Sequence, residues 1–156
     1  MNIAKYSIYD SVILDAPLDK VWQELRDMSK LVAIAFGEGS KGFTWVDGGS
    51  AEKVPARYEV TLVPSGQRLL DEVIGRSEGD HSVTYRSIMG GALEGYIATY
   101  WLRPVTNEPG ETFLEWSREF GIAQGGDPAV ILPLMTKTTA GHVAALKKYF
   151  TRRCAG

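Results

Sequence analysis

The groups able to do chemistry in this 156-residue chain are two histidines, one cysteine and charged residues scattered through strand-like runs. His142 stands out. Ile131, Leu134, Met135, Thr138, His142, Ala145, Leu146 and Tyr149 mark one face of a helix of about six turns. An imidazole titrates near neutral pH, which suits a general acid, a general base or a hydrogen-bonding anchor. A buried histidine satisfied by a neighbour is the structural alternative. His81, in Gly79-Asp80-His81, reads as a surface turn residue. Cys154 is the single thiol, so an intrachain disulfide is excluded and a reducing, cytoplasmic setting is expected. It reads as an incidental surface thiol near a fraying end. No Cys/His spacing supplies a zinc site, and no calcium loop or phosphate-cradling glycine motif occurs. Neither a metal nor a cofactor is expected.

Those residues need elements to hold them. Ile3 to Leu14 is rich in Tyr, Ile, Val and Ser and reads as a strand that Asp15-Ala16-Pro17 stops. Leu18, Val21, Trp22, Leu25 and Met28 form one stripe of a short helix, and Ser29 to Phe36 suits a second. From Gly42 onward the period changes. Phe43 to Val46, Ala56 to Val63, Gln67 to Arg76, Ser82 to Met89, Tyr96 to Val105 and Thr112 to Ile122 are strand-like runs bounded by turn residues. Their short links predict antiparallel neighbours. Asp127-Pro128 then starts the long helix, since Asp accepts from free N–H groups and Pro suits the first turn. The class is α+β, a seven-stranded curved antiparallel sheet around a long C-terminal helix, with two short helices after the first strand. A concave face under a helix leaves room for a small molecule.

Composition agrees with one domain over residues 1–156. Apolar residues are 44%, charged residues 23%, and the formal net charge is −2. That balance argues against a nucleic-acid binder, which needs a basic face. No apolar run approaches the roughly 20 residues of a membrane span, so no membrane insertion is expected.

Three stretches carry a resemblance. Ile13-Leu14-Asp15-Ala16-Pro17-Leu18-Asp19-Lys20-Val21-Trp22, Tyr85-Arg86-Ser87-Ile88-Met89-Gly90-Gly91 and Thr112-Phe113-Leu114-Glu115-Trp116-Ser117 are similar to the START-like, or SRPBCC, superfamily. Its fold is the helix-grip, or birch-pollen-allergen, fold. Within it the chain looks closest to bacterial polyketide cyclase/dehydrase-like proteins and the branch related to plant abscisic-acid receptors. Val63-Pro64-Ser65-Gly66-Gln67 departs from the receptors' Ser-Gly-Leu-Pro gate, so hormone gating is not implied. The turn at Pro64 to Gly66 and the run Gly90 to Gly95 remain candidate lids.

The last strand offers two faces, Phe113, Glu115, Ser117 and Glu119 or Leu114, Trp116, Arg118 and Phe120. Periodicity alone sends the second, greasier set inward. The resemblance implies the opposite, with Glu115 on the cavity side. On the same basis Lys41, Glu72, Arg86, Ile88, Tyr96, Ala98 and Tyr100 would line the cavity, with Leu134, Thr138 and His142 from the helix. Arg86 would pair with Glu115 or Glu72. His142, Glu115 and Arg86 are the catalytic candidates. The expected function is binding of a small hydrophobic, partly polar molecule (a lipid, polyketide or isoprenoid) by a monomer or homodimer. A cofactor-free polyketide cyclase/dehydrase and a partner-binding module are the alternatives.

Overall fold

The computed structural model describes residues 4–89 and 92–155, with side chains as far as residue 151. The strands are β1 (Lys5–Leu14), β2 (Ser40–Val46), β3 (Ala56–Leu62), β4 (Arg68–Ser77), β5 (Ser82–Met89), β6 (Leu93–Val105) and β7 (Glu108–Ile122). The helices are α1 (Leu18–Leu25), α2 (Met28–Phe36) and α3 (Pro128–Ala155). Short links make β2 through β7 a meander, and β1 closes onto β7, giving the antiparallel order β1-β7-β6-β5-β4-β3-β2. This is the helix-grip arrangement, with seven strands curving about one long helix.

Local chemistry explains the helix starts. The Asp27 carboxylate accepts from the Ser29 N–H at 2.9 Å and caps α2. Asp127 accepts from the Ala129 N–H at 2.9 Å and caps α3. The approach to α3 is tight. A Cβ on Gly126 would stand 2.5 Å from Ile122 Cγ2 and 3.0 Å from Ile131 Cδ1, so only glycine lets the chain leave β7 and turn directly into the helix. α3 runs 28 residues through Pro133, about 42 Å at the usual rise per residue.

One stripe of α3, comprising Thr139, His142, Val143, Leu146 and Phe150, is buried and packs against β1 and α2. Lys147 Nζ reaches the Ile13 carbonyl at 2.6 Å. Burying each of Leu146 and Phe150 contributes about 1.5–3 kcal/mol. The expectation about apolar runs needs a correction. By length and composition alone Pro128–Thr151 would cross a membrane, with a mean hydropathy of 1.2 in its most apolar window. Only 22% of that window is buried, by the stripe that packs against β1 and α2.

The opposite end of the fold is tied down by polar contacts to main-chain carbonyls. Thr112 Oγ1 donates to the Ala16 carbonyl at 2.7 Å, and both residues are buried. Thr112→Val keeps the shape but strands that carbonyl, so it should cost about 1–3 kcal/mol in urea unfolding. An unchanged midpoint would contradict this anchoring.

Candidate functional site

Alternation along β7 turns Leu114, Trp116, Arg118 and Phe120 inward, toward α3. Arg118 is only 2% exposed, yet no carboxylate pairs with it among the described residues. Its Nη1 donates to Thr139 Oγ1 at 3.1 Å and its Nη2 lies 2.8 Å from His142 Nδ1. Its Cζ stands 4.3 Å from the Trp116 ring centroid, a cation–π contact. Among the described residues Arg118 Nε and Trp116 Nε1 have no hydrogen-bond partner.

A guanidinium only donates, so His142 Nδ1 must accept, which leaves the imidazole proton on Nε2. Burial, then the Arg118 charge, push the His142 pKa down to about 3. At neutral pH His142 is therefore an uncharged hydrogen-bonding group, not the titrating acid–base group the sequence suggests. The Phe36 ring, at the end of α2, stacks on it at 4.1 Å.

A second polar group stands across the sheet. Asp71 of β4 faces inward and is 7% exposed. Its Oδ2 accepts from the Tyr58 hydroxyl at 3.1 Å, while Oδ1 has no hydrogen-bond partner within 3.5 Å among the described residues. Burial pushes the Asp71 pKa up to about 6, with Tyr58 and Ser87 pulling it back only in part. Between Asp71 and Arg118 lies an aromatic floor. Tyr85 and Tyr96 are 6.2 Å apart, Tyr96 and Phe120 6.4 Å, and Tyr85 and Tyr100 6.5 Å. Tyr96 faces inward but is only partly buried, as are Leu62, Leu69, Phe36, Met135 and Thr138.

The structure sorts the residues expected at the site. Tyr96 and Ala98 face the interior, and Thr138 and His142 lie on the inner side of α3. Tyr100 also faces inward, but its hydroxyl donates to the Leu25 carbonyl and it is fully buried, so it ties α1 to the sheet. Glu115 is a correction. It faces out, where Tyr9 donates to it at 3.0 Å and Arg103 at 2.9 Å, because its apolar neighbours Leu114 and Trp116 take the inner side. Glu72 and Arg86 do pair, but on the outer face, in a cross-strand triad with Arg57 (2.9 Å from Arg57 Nε, 2.8 Å from Arg86 Nη2). The two guanidiniums hold the Glu72 carboxyl below its ordinary range. Lys41 is exposed, opposite outward-facing Thr61. Ile88 sits at a register shift and is 37% exposed, and Leu134 is 59% exposed because the buried stripe runs through Met135 and Thr139 instead. His81 is partly buried, its ring centroid 5.4 Å from that of Trp22 in an edge-to-face contact. Gly90 and Gly91 of the expected lid, and the Cys154 side chain, lie outside the described residues. The residues read as candidates for the site left out Asp71 and Tyr58, while the β7 alternation pointed to Trp116 and Arg118.

This placement yields a direct expectation. Arg86→Leu should leave binding of any interior guest unchanged and cost about 1–3 kcal/mol, since it removes one of the two guanidiniums that hold the largely buried Glu72 carboxylate. A binding defect in a titration would put Arg86 back at the site.

A recess of about 760 Å³, open to solvent, lies between α2 and α3 on the side away from these residues, with Lys30, Ile34, Ala145 and Lys148 on its walls. It carries none of the buried, unpartnered polar atoms found in the interior.

A curved sheet gripping a helix over an aromatic interior with a few buried polar groups defines a small-molecule-binding class of protein. The family model described as polyketide cyclase / dehydrase and lipid transport matches residues 5–151, and the chain belongs to that family. A protein from Nitrosospira multiformis is 25% identical with a TM-score of 0.78, the match covering 97% of this chain and 100% of that one. The protein XoxI from Bacillus cereus is 16% identical with a TM-score of 0.77 (93% and 95% covered). Truncated norcoclaurine synthase from Thalictrum flavum is 15% identical with a TM-score of 0.75 (96% and 95% covered). These last two likenesses concern the fold. No curated protein matches the chain.

Proposed function

We propose that the protein binds one small hydrophobic, partly polar molecule, of lipid, polyketide or isoprenoid type, between the sheet and α3. The observation that carries this reading is the set of unpartnered polar atoms on the inner face, Asp71 Oδ1, Trp116 Nε1 and Arg118 Nε. Buried polar groups are normally satisfied, and an apolar interior that leaves three unsatisfied is suited to a guest that supplies partners. The family's description supports the same reading. The test uses the neutral probe N-phenyl-1-naphthylamine. It should bind with a stoichiometry near one, and Thr138→Trp should abolish binding by filling the inner side of α3. Binding that survives Thr138→Trp but is lost in Ile34→Trp would move the site to the α2–α3 recess.

A second reading has its own observation. A carboxyl near pKa 6 with a free oxygen beside an apolar floor can take and return a proton at neutral pH, as cofactor-free cyclisation or dehydration of a polyketide requires. On that reading Asp71→Asn removes turnover of a poly-β-ketone substrate by about 100-fold or more while binding persists. Equal turnover would exclude Asp71 as the proton carrier.

A further inference from the structure

We propose that the interior at Arg118 is a receptor for an acidic oxygen, so that the guest is an organic monoanion with a flat apolar body and one carboxylate or acidic enol. This rests on the interior being the ligand chamber. The observation behind it is a buried cation whose described partners are all neutral. Thr139 Oγ1, His142 Nδ1 and the Trp116 ring surround the guanidinium, and the Tyr85 and Tyr96 phenols lie within its field. A cation taken out of water is costly unless an opposite charge or full hydrogen bonding offsets the loss. Here Nε remains unpartnered.

The groups nearby share one polarity. Arg118 Nε and Trp116 Nε1 are free donors on one face of β7, two residues apart along the strand, with Arg118 Cζ 4.3 Å from the Trp116 ring centroid. His142 keeps its proton on Nε2 because Nδ1 accepts from Arg118. Donors without acceptors suit an anion, and an arginine fork suits a carboxylate in particular. Thr139 Oγ1 donates to the Met135 carbonyl while accepting from Arg118, so it holds the guanidinium without neutralising it.

The other end of the chamber differs. Asp71 stands on β4, separated from β7 by β5 and β6, so three strand spacings amount to about 14 Å along the sheet and less across its concave face. Its free Oδ1 suits a neutral hydroxyl or a carbonyl, according to its own protonation, and would repel a second acid group when ionised. The guest thus has its acid at Arg118, its aromatic or polyene body on Tyr85 and Tyr96, and an uncharged oxygen toward Asp71.

The experiment compares 2-naphthoate with its neutral isostere 2-naphthamide near pH 7 by calorimetry, on wild type and Arg118→Met. Naphthoate should bind wild type at least tenfold more tightly, and Arg118→Met should erase that preference while naphthamide still binds. Equal affinities in wild type, or a preference that survives Arg118→Met, would overturn the inference and leave the chamber reading standing. Binding of neither probe to wild type would overturn both. Should Arg118→Met fail to fold, carboxyl-labelled naphthoate on wild type decides. Its bound carboxyl should titrate lower than the free acid, and an unshifted titration would overturn the anion site.

Discussion

Asp71→Asn should make the protein more stable at about pH 8 by about 3 kcal/mol and leave it unchanged below about pH 4. In the fold the carboxyl titrates at about 6, above its ordinary 3.8, because burial disfavours the charged form. The native state therefore holds this proton more tightly than the unfolded chain. The stability it contributes is full below pH 3.8 and is lost as pH rises through about 6. Asn cannot ionise and still accepts from Tyr58, so it removes the penalty. His142 works in the opposite sense. Its folded value of about 3 lies below 6.5, so its contribution is present above pH 6.5 and is lost as pH falls toward 3. Between about pH 4 and 6 the two slopes oppose each other in wild type. In Asp71→Asn nothing opposes the His142 slope, which the lowered Glu72 and Glu78 carboxyls reinforce, so the variant loses stability steadily on acidification. Urea unfolding across this range checks it, and a variant less stable than wild type at alkaline pH would contradict the buried-carboxyl account.

The guest-free protein should tolerate loss of Arg118 better than a charged residue usually allows. Arg118→Met, similar in reach and wholly apolar, should raise stability by about 1–4 kcal/mol because it removes a desolvated, unpaired cation. The same change removes the second cause of the low His142 pKa, so the imidazole should titrate closer to its ordinary range in an NMR pH series. A loss of several kcal/mol would instead mean that Arg118 is neutralised within the fold, since breaking a compensated buried pair is what costs that much. The two variants probe opposite ends of one chamber. Asp71 bears on the polar end that meets neutral oxygen, and Arg118 on the end that meets charge.

Most of the architecture was legible because period, breakers and caps agree. The Asp127-Pro128 start of α3 needs only the capping carboxylate to be readable, and the strand runs end at Gly, Pro, Asn or Asp. Facing was harder. A strand with charge on both alternating sets does not say which side is the hollow. Glu72 and Arg86 satisfy each other on the outer face as readily as they would inside, and only the inward Tyr58 and Val73 around Asp71 decide the matter. On β7 the greasier set, Leu114, Trp116 and Phe120, was the better guide, and it carries Arg118 inward with it. Resemblance drew Glu115 to the wrong face because family likeness fixes the ladder more strongly than the identity of any one side chain. On α3 most of the expected stripe holds, with His142 and Leu146 buried and Met135 and Thr138 partly so, but Thr139 and Val143 join it and Leu134 is left in solvent, because helical spacing of three and four is met by either choice.

Intermolecular nuclear Overhauser contacts from bound N-phenyl-1-naphthylamine to assigned side chains would locate the guest outright. The account predicts contacts to Tyr96, Met135, Thr138 and His142, on the inner side of the sheet and of α3. Contacts confined to Ile34, Ala145 and Tyr149 would place the guest in the outer recess between α2 and α3 and contradict it.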